Sequence, residues 1–163
     1  MSALLENVDP EGLREFSVVF TDRSLNHMSQ SFQQVMRDIS GMLKEVYNAD
    51  AVALIPGGGT YAMEAVARQL ATDARVMVIR NGWFSYRWSQ IIESADLTAQ
   101  CTVMKARQTG NDSPSPFAPA PIDEVVASIR ENRPDVVFAP HVETSAGVIL
   151  PEAYIKEMAA AAH

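Results

Sequence analysis

The chain has 163 residues, 47% of them apolar, and a formal net charge of −7. That is one domain's worth of material with an ordinary supply of core residues. Its acidity argues against a general nucleic-acid or anionic-membrane binder, while a local anion site stays open. One cysteine, Cys101, allows no internal disulfide and makes the cytoplasm the default compartment. The N-terminus MSALLENVDP lacks a basic segment and does not read as a signal peptide, and no apolar run reaches membrane-spanning length.

Residues 1–28 form an arm without a clear period. Ser17-Val18-Val19-Phe20 is a short apolar piece, a strand or an extended segment, and Thr21 to Ser24 reads as a turn. Such an arm either packs on a partner subunit or frays. Residues 29–163 make up the domain proper. A helix is predicted from about Ser29 to Tyr47, with Phe32, Val35, Met36, Ile39, Met42, Leu43 and Val46 on one face. Ser31 and Gln34 have capping-box spacing.

Ala51-Val52-Ala53-Leu54-Ile55 then reads as a buried strand, and Pro56-Gly57-Gly58-Gly59 as a sharp turn. A helix opens near Thr60, with Met63, Val66, Ala67 and Leu70 as its buried stripe. Strand, glycine turn and helix start together aim backbone N–H groups and a helix dipole at one spot, which suits a phosphate. Glycine suits it because a Cβ would block close approach, and Thr60 adds a hydroxyl donor. The plainer reading is a tight turn that opens a helix.

Val76 to Ile79 is the next predicted strand. It ends at Arg80-Asn81-Gly82, where Trp83-Phe84-Ser85-Tyr86-Arg87-Trp88 opens a helix that continues through Ile91 and Ile92. The four aromatics are either a stacking surface near the phosphate spot or core and interface packing. Cys101 to Met104 is a third strand candidate, counting Ala51 to Ile55 as the first, and Ala106 to Pro121 is a long surface loop. Ile122, Val125, Val126 and Ile129 mark a helix with Asp123 and Glu124 in its first turn. Val136 to Ala139 is a strand, Pro140 to Gly147 the loop at its end, and Pro151 fits the first turn of a last helix carrying Ile155, Met158, Ala159 and Ala162.

Repeated strand, turn and helix, with little alternation inside the strands, predict an α/β fold: a three-layer sandwich around a mostly parallel sheet. Ligands of such sheets sit beyond the carboxyl ends of strands. Three segments are candidates there: Gly57 to Thr60, Asn81 to Arg87, and His141 to Gly147. The last helix runs into His163 without a Gly, Asn or Pro stop, so a truncated sequence is expected.

The glycine turn is not a Walker A loop, because no Gly-Lys-Ser/Thr follows. Gly57, Gly59 and Ala62 match G-x-G-x-x-A, but the acidic residue expected about twenty positions on is replaced by Arg80. An NADP-binding domain therefore remains an alternative, although a helix precedes the glycine strand. His141 has no second ligand at metal-binding spacing, and no metal site is expected.

Pro56-Gly57-Gly58-Gly59-Thr60 with Met63-Glu64-Ala65, then Asn81-Gly82-Trp83-Phe84, then His141-Val142-Glu143-Thr144-Ser145-Ala146-Gly147-Val148 resemble the class V aminotransferases. These are fold-type I enzymes of pyridoxal 5'-phosphate (PLP), the alanine–glyoxylate and serine–pyruvate group among them. Asn26-His27-Met28-Ser29 resembles that family's N-terminal entry, so the likeness runs from about Asn26 to the end. It implies that Gly58, Gly59 and Thr60 hold the cofactor phosphate, that Phe84 stacks on the pyridine ring and that Thr144 hydrogen-bonds near the ring's 3'-oxygen. Glu143 and Gly147 would shape their loop, and His27 would lie toward the substrate. It further implies a homodimer that transfers an amino group from a small amino acid to a keto acid such as glyoxylate or pyruvate.

The family's Schiff-base Lys and the Asp that pairs with the pyridine nitrogen are expected beyond His163. None of Lys44, Lys105 and Lys156 has a matching context, so no catalytic residue is assigned within the chain, and the chain alone is expected to be inactive. A non-catalytic scaffold of the same fold is the second alternative.

Overall fold

The computed structural model describes residues 27–28 and 30–162. The predicted apolar piece and turn between Ser17 and Ser24, with Asn26 and Ser29, lie outside the described residues. Two compact units divide between Ile55 and Pro56. In the first, α1 (Gln30–Tyr47) forms where the apolar spacing puts it, yet none of its residues is buried. Its polar side is laced by Gln34, which donates to Asp38 at 2.7 Å and accepts from Arg37.

The second unit contains α2 (Gly59–Leu70), β1 (Val76–Arg80), α3 (Trp83–Ser94), β2 (Cys101–Lys105), β3 (Arg107–Gln108), β4 (Phe117–Ala118), α4 (Ile122–Asn132), β5 (Val136–Phe138), β6 (Val142–Glu143), β7 (Val148–Ile149) and α5 (Glu152–Ala162). Its sheet has the order β2-β1-β5, and both pairings are parallel. β1 is the central strand, which is why Val76, Met77, Val78 and Ile79 are all buried.

Alternate residues of β1 feed two cores. Val76 and Val78 pack with Ala67 of α2, Ile92 of α3, Leu97 and Phe138. Met77 and Ile79 pack with Val125 and Ile129 of α4 and with Tyr154 and Met158 of α5. Full burial of a side chain such as Ile79 contributes about 1.5–3 kcal/mol. Two helices on each face of a parallel sheet make the three-layer α/β sandwich expected from the sequence.

Arg75 and Asp135 join the entries of β1 and β5. The Arg75 backbone N–H donates to Asp135 at 2.9 Å, and its guanidinium donates to the same carboxylate at 2.8 and 3.2 Å. These hydrogen bonds hold the Asp135 carboxyl down at about 2.

Three local expectations are corrected. Ala51 to Ile55 forms no strand, and four of its five residues are exposed. An apolar run becomes a strand only beside a partner that takes its N–H and C=O groups, and no described strand pairs with it. In α2 the predicted stripe is not buried: Ala67 is covered, whereas Val66 and Leu70 are exposed. The helix meets the core through a small residue, with Met63 half-buried and Val66 and Leu70 left outside. The loops are also more ordered than turn chemistry suggests. Residues 106–121 contain the β3–β4 hairpin, fastened by Arg107 to Glu124 of α4, and residues 140–150 contain the β6–β7 hairpin.

Candidate functional site

The loops leaving β1 and β5 are tied together by one carboxylate. α3 begins after Gly82, which has no side chain to accept from the helix's first N–H groups. Glu143, fully buried in β6, takes that role from across the sheet. It accepts from the backbone N–H of Phe84 at 3.1 Å and of Ser85 at 2.8 Å, and from the Ser85 hydroxyl at 2.6 Å. Ser145 accepts from the Trp83 N–H at 2.8 Å and donates to Glu143 at 2.5 Å. The Ser85 hydroxyl oxygen in turn accepts from the N–H groups of Asn81 and Gly82 at 2.8 and 3.0 Å.

Burial pushes the Glu143 carboxyl up, but the hydrogen bonds from Ser145, Ser85 and the backbone outweigh it and hold the group below the usual carboxylate range. The carboxylate also sits at the positive end of the α3 dipole. A Cβ at position 82 would lie 2.5 Å from Ser145 Oγ and 2.7 Å from Glu143 Cγ, so only glycine fits between the two loops.

α2 starts differently. Its N-cap, Gly58, is extended and no side chain caps the helix. The Tyr61 N–H is taken by Gly58 O, but the N–H groups of Gly59 and Thr60 have no protein acceptor among the described residues. A Cβ at Gly58 or at Gly59 would meet nothing within 4 Å. The glycine that the chain's own packing requires is Gly57, whose φ is +125° and whose Cβ would strike the Tyr61 ring at 2.4 Å. Thr60 Oγ1 accepts from Arg87 Nη1 at 2.7 Å, and the Arg87 guanidinium lies 5.3 Å from the centroid of the Phe84 ring.

The three candidate segments therefore meet. Thr60, Arg87 and Phe84 form one run of contacts, and Phe84 is joined through its N–H to the loop that carries Thr144. Thr144 itself is exposed in the β6–β7 turn, with no side-chain hydrogen bond among the described residues. The aromatic cluster splits in two. Trp88 stacks on Phe138 at 4.2 Å and belongs to the core, whereas Trp83 and Phe84 are 61% and 43% exposed. Tyr86 lies 5.6 Å from Trp83 and carries the Arg80 guanidinium over its ring. His27 and His141 are exposed.

Sequence reasoning missed two roles. Glu143 is the trans-acting cap of α3; its signal was an acidic residue with a serine two positions on, facing a helix whose N-cap is glycine. Arg87 bridges Thr60 and Phe84; its signal was helical spacing, three residues after Phe84, which puts the two side chains on one face.

No family model matches the chain. The fold is shared with aminotransferases of known structure, and the resemblance noted from the sequence holds at the level of the fold. The ureidoglycine–glyoxylate aminotransferase of Bacillus subtilis superposes with a TM-score of 0.62 at 20% identity, over 81% of this chain and 33% of its own. The alanine–glyoxylate aminotransferase of a Nostoc species gives 0.61 at 21% identity, over 85% and 35%. By sequence, a protein described as the small subunit of a soluble hydrogenase from a Synechococcus strain is 29% identical over 127 residues, which is 77% of this chain and 31% of that protein. The chain spans about a third of the length of each. No helix among the described residues is long and apolar enough to cross a membrane.

Proposed function

We propose that this chain supplies the phosphate grip and one ring wall of a PLP-dependent aminotransferase that acts on a small amino acid and a keto acid such as glyoxylate or pyruvate. The observation that carries the reading is the uncapped N-terminus of α2. The N–H groups of Gly59 and Thr60 have no protein acceptor among the described residues, while the cation of Arg87 holds the Thr60 hydroxyl at 2.7 Å. Donors, a helix dipole and a nearby positive charge suit a phosphate dianion. Gly58 leaves room for it.

Phe84 would face the cofactor ring, with Arg87 holding its side chain in place, and Thr144 would offer its free hydroxyl to the ring's 3'-oxygen. Glu143 would set the spacing of these two walls by binding the Phe84 and Ser85 N–H groups. When bound, PLP supplies the electron sink for amino-group transfer. No residue described here is assigned to covalent anchoring or proton transfer, and Lys44, Lys105 and Lys156 are given no such role. A homodimer in the cytoplasm, with His27 toward the substrate, completes the proposal.

The hydrogenase name of the sequence relative suggests redox chemistry as a second reading. A thiolate-held cluster needs several cysteines, and this chain has one. Its thiol is pushed up by burial, with Glu93 adding to the effect, so no residue here favours that reading.

The test is to titrate the chain with PLP and with inorganic phosphate, following the fluorescence of Trp83 and Trp88. Binding of PLP, with competition by phosphate, is expected. Gly59→Val should weaken PLP binding about tenfold or more, equivalent to about 1.4 kcal/mol, while leaving the circular dichroism spectrum unchanged. Equal PLP affinity in the two proteins counts against the phosphate grip.

A further inference from the structure

A parallel sheet opens a crevice where the connections leaving neighbouring strands turn to opposite faces. Here the chain leaves β1 for α3, on the face of Val76 and Val78, and leaves β2 for α4, on the face of Met77 and Ile79. The carboxyl ends of β1 and β2 are therefore a switch point. So are those of β1 and β5, but that crevice is filled by Glu143. The one between β1 and β2 is a cavity of about 360 Å³, lined by Arg80, Asn81, Gly82, Lys105, Phe117 and Ala146 among others. Gly58, Gly59, Thr60, Phe84 and Thr144 do not line it.

Two features of this crevice are unresolved by the protein itself. Asn81 is only 3% exposed, and both its side-chain oxygen and its side-chain nitrogen lack a hydrogen-bond partner. A buried amide with neither atom satisfied is rare and costly. Arg80 and Lys105 are register partners at the ends of adjacent strands, so two cations border the crevice, the Arg80 guanidinium lying over the Tyr86 ring. Neither has an ion pair among the described residues. A ligand that answers both features must bring a negative charge for the cations, an acceptor for the Asn81 N–H and a donor for the Asn81 oxygen. The donor should be neutral, because an ammonium would add a third positive charge.

We propose that the crevice between the ends of β1 and β2 binds a small 2-hydroxy carboxylate. The carboxylate sits by Arg80 and Lys105 and shares an oxygen with the Asn81 amide. The hydroxyl donates to the Asn81 oxygen, and the apolar body lies toward Phe117 and Ala146. This site is separate from the phosphate grip and does not depend on the cofactor reading.

The experiment follows the Asn81 side-chain amide of the full 163-residue chain by NMR, without PLP. L-lactate, L-alanine, propionate and L-lactamide are titrated in turn. Saturable shifts are expected for lactate. Propionate lacks the donor, lactamide the charge, and alanine carries an ammonium, so each should bind roughly tenfold more weakly. Lys105→Gln should weaken lactate several-fold, and Lys156→Gln, on α5, should not. Asn81→Ala keeps the backbone N–H that Ser85 accepts, removes an unpaired amide, and should leave the melting temperature equal or higher. In that variant lactate and propionate should bind alike, read from the Lys105 and Phe117 backbone amides. Three results each overturn the proposal: no saturable shift with lactate, equal affinity for lactate and propionate in the unaltered chain, or a melting temperature several degrees lower in Asn81→Ala.

Discussion

α2 and α3 begin alike and finish differently. Each follows a glycine N-cap that offers no side chain, Gly58 in one case and Gly82 in the other. At α3 the fold brings in Glu143 and Ser145 from a distant hairpin, and all three leading N–H groups are satisfied internally. At α2 no side chain among the described residues caps the helix, and the N–H groups of Gly59 and Thr60 have no acceptor among them. A helix end closed by a buried carboxylate is a structural joint. An end left uncapped beside a cation is a place for an anion from outside. The two glycines differ in the same sense: Gly82 makes room for a protein group, while a Cβ at Gly58 would meet no described atom within 4 Å.

The largest expected effect breaks the joint. Glu143→Ala leaves one buried and one part-buried backbone donor and the Ser85 hydroxyl without a charged acceptor. It should destabilise the second unit by about 3 kcal/mol, as measured by urea unfolding. Gln retains one acceptor oxygen and should cost less. A loss below about 0.5 kcal/mol, the size of an exposed ion pair, would show that α3 does not depend on this cap. Next comes a paired glycine exchange. Gly82→Ala forces a Cβ into Ser145 and Glu143 and should cost about 1–3 kcal/mol. Gly58→Ala, at φ −76°, should change stability by less than about 1 kcal/mol. Equal costs at the two positions would erase the distinction. Smaller still is Phe84→Ala, expected to weaken PLP binding by roughly 1 kcal/mol, the scale of an aromatic contact.

How far this was legible in the sequence follows from range. β1 was readable because a central parallel strand must be apolar on both faces, and Val76 to Ile79 is. The starts of α2 and α3 were readable from glycine followed by helical spacing. Ala51 to Ile55 looked the same as β1 in composition but pairs with no described strand, and pairing is a long-range property that an apolar run does not encode. The exposure of Val66 and Leu70 has the same origin: periodicity gives a face, not what covers it. Within the candidate site, the glycines and Phe84 stood out locally. The Glu143 cap joins residues 58 and 59 positions apart in the chain, and such a bond is visible only once β1 and β5 are known to be neighbours.

The smallest expected effect is on acid stability, and it separates the joint from an ordinary surface pair. Glu143 has its carboxyl held below the ordinary glutamate value of 4.5, burial raising it and the hydrogen bonds from Ser145, Ser85 and the backbone lowering it by more. A carboxyl depressed in the folded state contributes stability that is fully present above its unfolded value and is lost as pH falls through its folded value. The loss from Glu143 therefore begins near pH 4.5 on descent. Asp135, lowered from 3.8 to about 2 by Arg75, contributes only below about 3.8, and its side chain is half exposed, so its share is screened. Trp83 and Trp88 both lie on α3 and report on it by fluorescence. Between pH 4.5 and 3.8 the unaltered chain should start to loosen at α3. Glu143→Gln should show no such slope there, while Asp135→Asn should keep it. The N-terminus of α2 has no side-chain cap among the described residues to titrate in this window. A slope unchanged by Glu143→Gln would mean that the carboxylate does not hold α3 shut, and the contrast between the two helix ends would fail with it.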